Sequence, residues 1–268
     1  MDLTQQQALP LIIGHRGASH DAPENTLASF RLAFQQGADG VEADFRLTAD
    51  GEIVCLHDAS TARTAGVDLS VSRATLPELR RLDVGAWKGE SWRAARLPTL
   101  SEVLGVLPAG KRLFIEVKCG EEIVAPLAEA LALSGVEADR LRLLCFSAEL
   151  LPTLKERLPS CRACWLTDYR FSGSWRPSRQ KVLDTLAETG ADGLASRDRA
   201  IVDSELVAAL RARGLEIHLW TVDSVQAALR LARLGVDSIM TNRPGWLRGA
   251  LSQRLCGACA AGSEWGDR

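Results

Sequence analysis

Two short stretches of this sequence place carboxylates where apolar side chains are expected. In GVEADF, residues 40–45, Glu42 and Asp44 stand two apart, and in FIEVK, residues 114–118, so do Glu116 and Lys118. If these stretches are strands, each pair points to one face. Burying a carboxylate in an apolar run is costly unless a cation or hydrogen-bond donors meet it. Three carboxylates, with no clustered thiolates or imidazoles, favour a hard divalent cation, Mg²⁺ or Ca²⁺, over zinc. A single such ion held by Glu42, Asp44 and Glu116 is therefore expected.

Cations and imidazoles fall beside them. IIGHRG, residues 12–17, carries His15 and Arg16 straight out of an apolar run, and His57 closes the segment LTADGEIVCLHD. Arg16 and Lys118 can each hold an anionic oxygen. A carboxylate-bound cation beside Arg and Lys suits a phosphate ester better than a sugar or an aldehyde. His15 and His57 then supply a general base and a general acid for in-line displacement at phosphorus, with either order open. Gly14 and Gly17 are expected to let the backbone bring His15 and Arg16 close to substrate. His20 and His218 fit no such constellation and read as structural.

Something must bring these residues together. Apolar runs read as strands at Leu11–Gly14, Gly40–Arg46, Arg112–Val117, Leu141–Phe146, Arg162–Leu166, Asp192–Leu194, Glu216–Thr221 and Asp237–Thr241. Helical patterns separate them: NTLASFRLAFQQG ending at Gly37, a capping box opened by Thr99, and Glu121–Leu133, Ala148–Leu158, Ser178–Thr189, Asp203–Arg213, Ser224–Leu234 and Pro244–Leu251. Strict βα alternation over ~250 residues predicts an α/β fold, a (β/α)₈ TIM barrel, with a doubly wound open sheet as the alternative. In a barrel, catalytic groups sit at the C-terminal strand ends, where His15, Arg16, Glu42, Asp44, Glu116, Lys118 and Trp220 all fall. The expected division is one barrel domain over 1–251, a small insertion at 58–98 between strand 2 and helix 2, and a tail over 252–268.

Composition excludes several classes. At 268 residues, 46% hydrophobic and 25% charged, the chain can build a full core. A net charge of −2 gives no global reason to bind nucleic acid or an anionic membrane. The start, MDLTQQQALPLII, has neither the basic nor the long apolar region of a signal peptide, and no run suits a stable membrane insertion. The seven cysteines are odd in number and scattered, so a cytoplasmic protein with reduced thiols is expected. The pairs Cys161/Cys164 and Cys256/Cys259 lie too far apart for one compact zinc module and read as packing and tail residues.

Six ordered blocks together resemble the glycerophosphodiester phosphodiesterase family, in its cytosolic bacterial form. They are GHRG…PENT, GADGVEADFRLTADGEIVCLHD, PTLSEVL, FIEVK, WTVD and GVDSIMTNRP, spanning residue 12 to about 245. The resemblance implies hydrolysis of a glycerophosphodiester, a small-molecule substrate, to sn-glycerol 3-phosphate and an alcohol. It implies His15 and His57 as the acid–base pair, Glu42, Asp44 and Glu116 as metal ligands, Arg16 and Lys118 on the phosphate, and Trp220 against the alcohol. Attack by water, or first by the glycerol 2-hydroxyl through a cyclic phosphate, fits these residues equally. No oligomeric state is implied.

The chain departs from the family pattern twice. TVD, with Asp223, replaces the usual TVN, and TNRP, with Asn242, replaces the usual TD.P. Two rival readings accompany the main one. A lysophospholipid or other phosphodiester is an alternative substrate, for which Trp87, Lys88, Trp92 and Arg93 of the insertion would form a membrane-facing rim, although packing of the insertion is the simpler role for those tryptophans. A non-catalytic phosphodiester-binding barrel is the other, opposed by the complete set of histidines and carboxylates.

Overall fold

Parallel strands with one-residue-in, one-residue-out alternation close on themselves in the computed structural model, which describes residues 9–261, with side chains through Arg254. The strands are β1 (Leu11–His15), β2 (Gly40–Leu47), β3 (Ile53–Cys55), β4 (Arg112–Val117), β5 (Leu141–Cys145), β6 (Arg162–Thr167), β7 (Arg170–Ser172), β8 (Ser174–Arg176), β9 (Gly193–Arg197), β10 (Glu216–Trp220) and β11 (Ser238–Thr241). Their order is β1-β11-β10-β9-β6-β5-β4-β2, and β2 pairs back onto β1, giving a closed eight-stranded parallel barrel. The open-sheet alternative is thereby excluded.

The helices are α1 (Leu27–Gln35), α2 (Ala62–Ala65), α3 (Leu76–Leu79), α4 (Leu100–Gly105), α5 (Val124–Ser134), α6 (Leu151–Arg157), α7 (Arg179–Thr189), α8 (Ser204–Arg211), α9 (Val225–Leu234) and α10 (Pro244–Ala261). Thr99 caps α4 as expected, its hydroxyl accepting from Glu102 N at 3.3 Å while Glu102 Oε2 accepts from Thr99 N at 2.9 Å. The last helix was expected to stop at Leu251, with a tail from Ser252. It continues to Ala261 instead. Cys256 and Cys259 lie in that extension, outside the residues whose side chains are described.

Strand parity separates two cores. Val41, Ala43 and Phe45 of β2 and Leu113, Ile115 and Val117 of β4 face the helices, in one large apolar cluster. Ile13, Phe114, Leu144, Cys164, Leu166, Ala195 and Met240 fill the barrel interior. Cys161 and Cys164 belong to opposite cores, and both are free thiols. That placement bears out their reading as small buried apolar residues.

Two segments depart from the simple alternation. The β2–β3 hairpin turns at Asp50-Gly51 and opens an insertion with its own apolar centre of Val54, Leu56, Val71, Leu79, Val84 and Leu97. An unexpected second hairpin, β7–β8, lies between β6 and α7, with Arg170 opposite Arg176. Its residues RFSGSWR alternate too briefly to stand out in sequence. The strand expected at Asp192–Leu194 runs over Gly193–Arg197 instead. Small Ala195 and polar Ser196 concealed its length.

The barrel's N-terminal end is closed by a polar network rather than by apolar residues. Arg142, 4% exposed, donates to Glu216 from Nε at 2.7 Å and from Nη2 at 3.0 Å, and from Nη1 to the carbonyls of Asp139 and Leu141. His218 joins Ser238 Oγ at 2.8 Å and Glu216 Oε2 at 3.2 Å. Cys164, Glu216 and His218 bring their ligand atoms within 4.8 Å of one another. Arg142 is already bidentate on Glu216, so His218, read from the sequence as structural, sits within a hydrogen-bonded network. Burial pushes the Glu216 carboxyl up, but hydrogen bonds from His218 and Arg142 outweigh burial and hold it at about 2.

Arg142→Met should therefore destabilise the fold by about 1–3 kcal/mol at neutral pH, because it removes the bidentate partner of a largely buried carboxylate and leaves it His218 and Arg162. The pH dependence has a defined sign. Glu216 titrates below its usual 4.5, so its contribution is complete above that pH and is lost as pH falls through about 2. In urea titrations, the stability margin of the native chain over Glu216→Gln should shrink between these values and vanish at the lower one.

Candidate active site

Register assembles the opposite end of the barrel. His15 pairs with Glu42 across β1–β2, and Asp44 pairs with Glu116 across β2–β4. Even-numbered residues of β2 and β4 point inward, so Glu42, Asp44 and Glu116 converge, with one oxygen of each inside a 4.8 Å circle. All three are buried. A cavity of about 250 Å³ opens above them, lined by His15, Arg16, Glu42, His57, Glu116, Lys118, Phe146, Arg197, Trp220 and their apolar neighbours. The structure brings seven of the eight residues expected from sequence to its wall, and the eighth, Asp44, lies directly behind it.

Two cations hold the carboxylates together. Arg16 Nε lies 3.1 Å from Asp44 Oδ2, and its backbone N–H donates to Glu42 Oε2 at 2.9 Å. The Lys118 ammonium sits between Asp44 Oδ1, at 3.1 Å, and Glu116 Oε1. Asn25, buried and with a left-handed φ of 57°, donates to Asp44 Oδ2 at 2.8 Å and accepts from Asp44 N at 3.2 Å. Burial raises the Asp44 carboxyl, yet Lys118 and Arg16 bring it down to about 2. Burial and the neighbouring Asp44 push Glu116 up to about 7 and Glu42 well above its usual range.

The donor set fits a divalent cation. Glu42 Oε1 is buried and accepts no hydrogen bond, while Asp44 Oδ1 and Glu116 Oε1 are met by the Lys118 ammonium alone. Buried acceptors left open are rare unless a ligand uses them. Burial, and then repulsion from the neighbouring carboxylates, hold Glu42 and Glu116 high despite Arg16 and Lys118. Additional positive charge at the convergence point relieves both conditions.

Each histidine is gripped through Nδ1. His15 Nδ1 is 2.8 Å from Asn242 Oδ1, and its Nε2 lies 3.9 Å from Glu42 Oε2. His57 Nδ1 is 2.7 Å from Asp58 Oδ1. Burial lowers both imidazoles below their usual value, reinforced at His15 by Arg16 and opposed at His57 by Asp44 and Asp58. Arg63 of α2 donates to Asp58 Oδ2 at 2.6 Å and to both Glu24 oxygens at 2.8 and 2.9 Å, and Glu24 in turn accepts from Arg16 at 2.8 Å.

The glycines around His15-Arg16 make the turn after β1 possible. Arg16 and Gly17 turn through left-handed conformations, with φ of 56° and 83°. A Cβ at Gly17 would lie 2.4 Å from Ser29 Oγ, and one at Gly14 would lie 3.0 Å from Ala33 Cβ. Gly17 is required by its left-handed φ and its close packing on Ser29 of α1, and Gly14 by the Gly17 carbonyl, 2.9 Å from where a Cβ would stand, and by Ala33.

Several pocket residues were missed in sequence. Arg197 ends β9 with its guanidinium 5.7 Å from the Trp220 ring, and Phe146 meets Trp220 edge-to-face at 5.8 Å. Asn25, Glu24, Asp58, Arg63, Asp223 and Asn242 buttress the site. The PENT run carried Glu24 and Asn25, and the TVD and TNRP blocks carried Asp223 and Asn242, but nothing in the sequence singled out Asp58 or Arg63. Within the insertion, Lys88 Nζ donates to the Ser19 carbonyl at 2.7 Å and Trp87 Nε1 donates to Val84 O at 2.9 Å, so these two side chains are tied back to the chain. No helix among the described residues is long and apolar enough to cross a membrane.

Comparison with known proteins agrees with this geometry. The family model described as the glycerophosphoryl diester phosphodiesterase family matches residues 15–246. A glycerophosphodiester phosphodiesterase of Caldanaerobacter subterraneus is 31% identical over 87% of this chain and 94% of its own. A Bacillus subtilis glycerophosphodiester phosphodiesterase is 28% identical over 87% of this chain and 84% of its own. A solved phosphodiesterase of Oleispira antarctica, in complex with its product sn-glycerol-3-phosphate, superposes with a TM-score of 0.81 at 30% identity, covering 91% of this chain and 97% of that one. Barrel, pocket and relatives point the same way: this chain belongs to the glycerophosphoryl diester phosphodiesterase family and is an enzyme of that class.

Proposed function

We propose that the protein hydrolyses glycerophosphodiesters to sn-glycerol 3-phosphate and a free alcohol, using one divalent cation, Mg²⁺ or Ca²⁺, and the pair His15 and His57. The observation that carries this reading is the convergence of three buried carboxylates, with Glu42 Oε1 left without a partner, beneath a pocket walled by two histidines, Arg16 and Lys118. The product complex of the Oleispira antarctica relative supports the choice of substrate class. Free thiols at Cys55, Cys119, Cys145, Cys161 and Cys164 support a cytoplasmic location.

Glu42, Asp44 and Glu116 would hold the cation, which supplies charge stabilisation at the phosphoryl oxygens and lowers the cost of generating a nucleophile. Arg16 and Lys118 bind and orient the phosphate. Their charges, already committed to the carboxylates, keep them from swinging to solvent. Each histidine is engaged at Nδ1, so Nε2 is the nitrogen left to accept a proton from the attacking hydroxyl or to return one to the leaving oxygen. Trp220 and Phe146 give the alcohol an apolar wall.

Release of glycerol 3-phosphate from glycerophosphoethanolamine should stop with a chelator and return with Mg²⁺ or Ca²⁺. Turnover unaffected by chelation would overturn the metal assignment, and turnover of lysophospholipid alone would overturn the substrate. Glu42→Ala or Glu116→Ala should abolish metal-dependent turnover without unfolding the barrel. His15→Ala and His57→Ala should each cost roughly 10²-fold or more in kcat, and Arg16→Lys should also impair the enzyme by losing the guanidinium's forked geometry. Retention of full rate by either histidine variant would end the paired mechanism.

A further inference from the structure

The two departures from the family pattern meet in space. Asn242 Nδ2 donates to Asp223 Oδ2 at 2.6 Å, while Asp223 Oδ1 accepts from Asn242 N at 2.8 Å and from Thr241 Oγ1 at 2.7 Å. The acid and the amide introduced by these two departures are thus in direct contact in this chain. The other end of the Asn242 amide faces the pocket, where Oδ1 lies 2.8 Å from His15 Nδ1.

Chemistry fixes every proton in this chain. A carboxylate only accepts, so the Asn242 side chain must turn its NH₂ towards Asp223. Its oxygen then faces His15, and an amide oxygen also only accepts. His15 Nδ1 must carry a proton, leaving Nε2 bare on the side of Glu42. A side-chain flip of Asn242 would set an NH₂ against His15 and an oxygen against the carboxylate, losing one hydrogen bond and adding a repulsion.

We propose that Asp223 is a positioning residue for His15: acting through the Asn242 amide, it selects the Nδ1–H tautomer and so keeps Nε2 available for proton transfer. Asp223 does not line the cavity, and its partners are Thr241 and Asn242 rather than the carboxylate cluster. The proposal rests on His15 being a proton-transfer group, and its test separates the two ideas.

Nitrogen NMR of ¹⁵N-histidine-labelled protein, at a pH where the imidazoles are neutral, reads the tautomer directly, with His15 assigned by its loss in His15→Gln. The native chain should show Nδ1 protonated and Nε2 bare. Asp223→Asn frees the Asn242 amide to flip, so the His15 signals should move towards the Nε2–H form and kcat should fall at least ~10-fold with little change in KM. The double variant Asp223→Asn/Asn242→Asp restores one acid and one amide in exchanged places, and it should recover both the tautomer and most of the rate. An unchanged tautomer in Asp223→Asn, or a double variant no better than the single one, would overturn the proposal. A correct tautomer response in a protein that hydrolyses no phosphodiester would instead overturn the assigned function and leave the positioning role standing.

Discussion

Three carboxyl groups held within a few ångströms are the constraint around which the molecule is built. Oxygens of Glu42, Asp44 and Glu116 lie within 4.8 Å of one another, and at an effective dielectric of about 20 any two of them that ionise together repel by roughly 3 kcal/mol. Arg16 and Lys118 are the counterweight, and both are partly buried for the purpose. The strand register, the tight turn after β1 and the placement of Asn25 against Asp44 all serve to keep these five side chains in one place. A strand shift of one residue would turn Glu42 and Asp44 outward into the apolar layer that packs the helices.

This explains why charge, rather than hydrophobicity, was the informative signal. The apolar runs announced strands, and their alternation with helices announced the barrel, because buried parallel strands read as continuous apolar stretches. The carboxylates within those runs announced the site, because burying them demands a cation or hydrogen-bond donors. Both inferences rest on short-range rules that act within a strand or across a single βα unit.

What sequence concealed depends on contacts between distant loops. Arg197 lies at the end of β9, whose residues Gly193, Ala195 and Ser196 carry none of the bulk that marks a strand. Asn242 touches His15 from the opposite end of the chain, and single Asn/Asp exchanges at 223 and 242 look like drift until the 2.6 Å contact shows them to be partners. The glycines flanking His15-Arg16 were legible as special, but the surface they approach, α1, is a feature of the fold and not of the motif.

The insertion fits the same logic. His57 leaves the β2–β3 hairpin on a short link and would be free to turn, with its side chain 34% exposed. Asp58 holds its Nδ1, Arg63 holds Asp58, and the same guanidinium grips Glu24, which is itself bonded to Arg16. One arginine from the insertion thus ties the second histidine to the guanidinium that binds Asp44. The apolar centre of the insertion, around Val71, Leu79 and Leu97, keeps α2 in place so that Arg63 reaches both acids. The inserted segment is best understood as the scaffold for one wall of the pocket: a barrel strand delivers His15, but no strand delivers His57, and the chain has to fold a small structure of its own to bring it there.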